Sequence, residues 1–181
     1  MVDGAGGMRQ GRQKSVIGWL GHKAPGFGEL SSGEKNVIMQ FALLWSFFEA
    51  KVLSTNGSAR VIADVVRSWA ERGLLTAGAF EGPLAYFRNR YCDAGEFTYY
   101  FEHLYFRSRD NRDLVEKVIR GLSENPVEIT TALLIIVYRL RNNLFHGLKW
   151  AYDIQGQKLN FMHANAVLMQ AIDMHEAATQ R

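Results

Sequence analysis

Residues 125–147 read NPVEITTALLIIVYRLRNNLFHG, and this stretch decides the fold. Asn125 offers an N-cap oxygen, and Pro126 takes the first helical position, where a missing N–H is no loss. Gly147 is the expected stop. At about 100° per residue, Leu133, Ile136, Val137, Leu140 and Leu144 fall on one apolar stripe. Residues 132–137 are apolar without exception, and a helix apolar on all sides is a buried one. A polar sector opens only in the second half, where Arg139, Asn142 and His146 lie opposite the stripe. The pattern predicts a long helix over about 126–146 at the centre of an all-α bundle.

Outward from that helix the same signals recur. Ser31-Ser32-Gly33-Glu34 reads as a capping box. Val37, Phe41, Leu44, Trp45, Phe48 and Val52 follow at three- and four-residue steps, predicting a helix over about 32–55. Leu159, Met162, Ala166, Met169 and Ile172 predict another over about 157–177. Shorter helices are expected between: 58–72 with Ile62, Val65, Val66 and Trp69, 80–91 with Leu84 and Phe87, and 94–106 with Phe97, Tyr100, Phe101, Leu104 and Tyr105. A further one is capped by Asp110 and carries Leu114, Val118 and Ile119. No strand alternation appears. Residues 1–30 are rich in glycine and carry Arg9, Arg12, Lys14 and Lys23. They read as a flexible basic arm, followed by a single helical domain over 31–181.

Composition limits the function classes. The chain has 181 residues, 48% of them apolar, enough for one domain with a real core. A formal charge of +3 and a pI near 9.1 lean only mildly toward anionic partners. Cys92 is the one cysteine, so no intrachain disulfide forms, which suits a reducing compartment. No apolar run reaches the length of a membrane span. The run 16–20 is too short for a secretory core, and a cytoplasmic location is expected. The histidines show no metal-ligand spacing. No metal and no cofactor is expected.

The chemistry gathers at the end of the central helix. Asn142 and His146 are four residues apart and within side-chain reach. His146 is the natural group for moving a proton near neutral pH, and the helix terminus favours its protonated form. Arg141 can place a guanidinium on a phosphate with two parallel donors. Arg139, Asn143, Lys149 and Tyr152 surround them as supporting or substrate-binding candidates. Glu49, at the edge of the first long helix's apolar stripe, needs a partner and could orient Arg141 or His146. On an ideal helix Arg141 and His146 stand about 140° apart. A distorted helix end, an arginine reaching round the flank, or a site shared by two chains would bring them together. The aromatic block 97–101 could stack bases, but its helical spacing places it in the core.

Arg141-Asn142-Asn143-Leu144-Phe145-His146 resembles the signature of the HEPN superfamily, an arginine followed by a polar residue with histidine five positions after the arginine. Gly147 and Lys149 after it, and Leu44-Trp45-Ser46-Phe47-Phe48-Glu49 on the first long helix, resemble the stand-alone HEPN domains of bacterial defence and toxin systems. The resemblance covers about 31–178. It implies a metal-independent endoribonuclease acting on RNA as a homodimer, with arginine and histidine from both chains in one cleft. Attack by the 2′-hydroxyl would leave a 2′,3′-cyclic phosphate and a 5′-hydroxyl. An antitoxin or regulatory protein is a possible partner. The alternative within the same family is a non-catalytic module that binds RNA, a nucleotide or a partner protein.

Overall fold

The computed structural model describes residues 15–76, 78–145 and 154–180. It is an all-α bundle. In chain order the helices are α1 (Val16–Lys23), α2 (Pro25–Gly28), α3 (Ser32–Lys51), α4 (Ala59–Glu71), α5 (Glu81–Tyr91), α6 (Tyr99–Glu102), α7 (Arg112–Ile119), α8 (Pro126–Phe145) and α9 (Lys158–Thr179). Two short strands, β1 (Cys92–Asp93) and β2 (Glu96–Phe97), stand between α5 and α6.

α8 runs through the middle. The Asn125 side chain accepts from the Val127 N–H at 2.9 Å, the cap its sequence anticipates. Every residue from Thr130 to Val137 is buried, with Leu140 and Leu144 extending the apolar side. Each fully buried Leu, Ile or Val is worth about 1.5–3 kcal/mol, so this helix anchors the core. α4 and α7 pack on it from separate sides, and α9 lies along α3. Phe41 of α3 meets Phe161 of α9 with ring centroids 4.8 Å apart. α3 starts on a complete capping box, with Ser31 Oγ accepting from the Glu34 N–H and the Glu34 carboxylate accepting from the Ser31 N–H. The Ser31 hydroxyl, donating to the Glu34 carboxylate, and then the Ser31 N–H hold the Glu34 carboxyl below its ordinary range.

Three expectations are corrected. α3 ends at Lys51, not near 55, because the chain turns over through left-handed Ser54 (φ 49°) and Thr55 (φ 61°). The expected helix over 94–106 does not form. Ala94 (φ 47°) and Gly95 (φ 87°) both take positive φ, the condition for a tight primed hairpin turn joining β1 to β2. Only the single turn α6 survives of that helix, and Tyr105 (φ 51°) turns the chain again. The aromatic spacing there belongs to a compact hairpin and loop.

The described part of the basic arm is also helical. Ser15 caps α1 by accepting from the Gly18 N–H, and Phe27 and Leu30 are buried in the core. Its glycines serve close approach: a Cβ on Gly28 would stand 2.8 Å from the Gly21 carbonyl oxygen. Glycine density that suggests flexibility here lets α1 and α2 touch.

Candidate functional site

The last two turns of α8 point their polar side chains in two directions. Arg139 and Asn143, four residues apart, face inward onto the loop 103–110. Arg139 is 2% exposed, and its Nε and Nη2 donate to the carbonyls of Leu104 (3.0 Å) and Tyr105 (2.6 Å). Its Nη1 pairs with the Asp110 carboxylate at 3.1 Å, and Asp110 also accepts from the Arg107 N–H. Asn143 Nδ2 donates to the carbonyls of His103 (3.0 Å) and Leu104 (3.3 Å). These two residues staple a loop onto the core. Of the two roles expected for Arg139, supporting or substrate-binding, its contacts are those of a support: its fork faces protein oxygens and is closed to solvent.

Arg141 and Asn142 face α3 instead. Arg141 Nη2 approaches Glu49 Oε2 at 3.3 Å, and the same oxygen accepts from Trp45 Nε1 at 3.0 Å. Arg141 Nη1 donates to Asn142 Oδ1 at 2.9 Å. The guanidinium carbon lies 5.6 Å from the Trp45 ring and 5.4 Å from the Phe145 ring, within cation–π range of both. The arginine is thus fixed by a carboxylate, an amide and two aromatic faces, while remaining about a quarter exposed. Arg141 Nε and Asn142 Nδ2 are buried donors with no protein acceptor among the described residues. Asn142 is itself buried.

Arg141 stays on the flank beside Phe145 that an ideal wheel assigns it, and from there donates to Asn142, the residue on His146's side of the wheel. His146, Lys149 and Tyr152 lie outside the described residues. Glu49, placed by sequence at the edge of a stripe, meets Arg141. Two participants carried no local signal. Trp45 reads as a core residue, yet its indole N–H holds the carboxylate. Gly57 lies against the other carboxylate oxygen: a Cβ there would collide with Glu49 Oε1.

The aromatic block divides. Phe97 and Phe101 stack at 4.1 Å on the core side, while Tyr99 and Tyr100 stand exposed. Among the described residues no group of three or more His, Cys, Asp or Glu could hold a metal ion, and no helix is long and apolar enough to cross a membrane.

The site therefore offers a positioned guanidinium with its Nε open, one open amide donor on Asn142 and a carboxylate at the end of a buried helix. Comparison of the chain with models of known families, with curated proteins and with solved structures gives no match.

Proposed function

We propose that the chain is a metal-independent endoribonuclease of the HEPN kind, with RNA as substrate. The observation that carries this is the fixed Arg141: an aromatic and carboxylate mount holds it beside Asn142, with a histidine five residues further along. In this reading His146 takes the proton from the 2′-hydroxyl. The 2′-oxygen then attacks the phosphorus and the 5′-oxygen leaves with a proton, giving a 2′,3′-cyclic phosphate and a 5′-hydroxyl. Arg141 binds the phosphate as charge builds on its oxygens, and the open donors of Arg141 and Asn142 are available to the same oxygens. A homodimer would supply histidines for both proton transfers. A role as a toxin or antiviral effector, with an antitoxin or regulatory partner, rests on the resemblance alone, and the cytoplasmic setting on the sequence.

The test is incubation with RNA in EDTA. Wild type cuts; Arg141→Ala falls roughly 10²–10³-fold, as loss of a transition-state donor does. His146→Ala falls roughly 10²–10⁴-fold. Inert wild type, or two variants that cut normally, would refute the assignment.

One observation favours a second reading, a non-catalytic HEPN module that binds RNA, a nucleotide or a protein. Glu49 already neutralises Arg141, so an incoming phosphate must compete with a carboxylate. RNA binding without any cyclic-phosphate product would select it.

A further inference from the structure

On another side of α8 a cavity of about 330 Å³ opens between the α5–α6 region and the start of α9. Arg90, Tyr99, Tyr100, His103, Gln157 and Asn160 give it its chemistry. Among the described residues its lining includes one guanidinium and no carboxylate, a set that suits an anion. Arg90 lies 4.2 Å over the Tyr100 ring, pairs with no carboxylate among the described residues, and keeps a buried Nε without a partner. Tyr99 and Tyr100 are 65% and 50% exposed at the cavity mouth, Tyr99 with the His103 ring against it at 3.7 Å and Tyr100 with Arg90 over one face.

The floor is polar and preset. Asn160, 2% exposed, accepts from the Tyr86 and Tyr91 hydroxyls at 3.2 and 3.5 Å and donates to Gln157 Oε1 at 2.7 Å. Burial pushes the Tyr91 phenol far above its ordinary value, so it stays a donor. His103 donates from Nδ1 to the Tyr99 carbonyl at 2.7 Å, which fixes the ring at the cavity wall. Exposed aromatic rings, a guanidinium that holds the Tyr86 and Tyr91 hydroxyls but keeps its Nε open and faces no carboxylate among the described residues, and an amide floor together match a planar, hydrogen-bonding, anionic ligand.

We propose that this cavity binds a nucleotide unit, its base against Tyr99 and Tyr100 and its phosphate on Arg90. The proposal is independent of RNA cleavage, because Glu49, Arg141 and Asn142 do not line the cavity.

Calorimetric titration with the four nucleoside 5′-monophosphates tests it. Wild type is expected to bind at least one saturably. Tyr100→Ala and Arg90→Gln should each weaken binding about tenfold or more, as loss of a stacking face or phosphate contact does. Tyr100 is half-exposed, so its variant retains the fold; unchanged thermal midpoints check both. Arg141→Ala should bind like wild type, which separates this cavity from the cleavage site. A 2′-O-methyl tetranucleotide, which cannot be cut, then identifies the source. Competition with the mononucleotide means that the base comes from an RNA strand; no competition means a free nucleotide. No saturable binding by wild type, or equal affinity in Arg90→Gln and Tyr100→Ala, overturns the proposal.

Discussion

Glu49 shows how one carboxylate can depend on residues that sequence does not connect. Its Oε2 holds Trp45 and Arg141, and its Oε1 rests against Gly57. The need for a partner was legible, because a carboxylate at the rim of an apolar stripe is unstable alone. Which partner was not, since Arg141 lies far along the chain. Gly57 was not legible either: its requirement is empty space beside a side chain from the preceding helix. Gly57→Ala should displace the carboxylate and, through it, the guanidinium. Cleavage in EDTA is expected to fall roughly tenfold to a hundredfold, the usual effect of misplacing a reacting group by about 1 Å. Circular dichroism should remain that of a folded helical protein. Wild-type rates in Gly57→Ala would mean that Glu49 does not position Arg141.

At the scale of elements, legibility followed local chemistry. Helices announced by caps, the Ser31–Glu34 box and Asn125-Pro126, begin where their residues indicate. The helix expected over 94–106 failed because aromatic spacing alone imitates a helical period, while two positive φ angles at Ala94 and Gly95 build a hairpin. Helix α8 also has a division that a wheel places correctly but interprets wrongly. Arg139 lies off the apolar stripe, yet Asp110 and two carbonyls draw it inside. Arg139→Met should therefore destabilise by about 3–5 kcal/mol, because it leaves the Asp110 carboxylate buried and unpaired. Adding Asp110→Asn should recover part of that loss. Urea unfolding of the two variants measures both, and a double variant no more stable than the single one would argue against the pairing.

At the scale of the molecule, the all-α bundle was legible because apolar periodicity is a property of the whole chain, and the central position of α8 followed from residues 132–137. The proposed composite site makes a sharper demand. If arginine and histidine of one active cleft come from two chains, Arg141→Ala and His146→Ala, each inactive alone, should regain measurable cleavage when co-expressed or refolded together. A mixture as inactive as its components would show that one arginine and one histidine given by different chains do not suffice. Sedimentation of the wild type over a concentration series gives the assembly state directly.

Thr55 follows α3 with φ at 61°, a backbone region that a β-branched residue enters only under strain. Its N–H donates to the carbonyl of Glu49, so the strained turn grips the helix end that carries the carboxylate. The molecule thus gives up stability for placement. Thr55→Gly should relieve about 1 kcal/mol of strain and raise the melting midpoint by about 2–4 °C, yet loosen the turn and slow any chemistry that depends on Arg141. A more durable protein that works less well would identify this turn as a spring held under tension for the benefit of its neighbour.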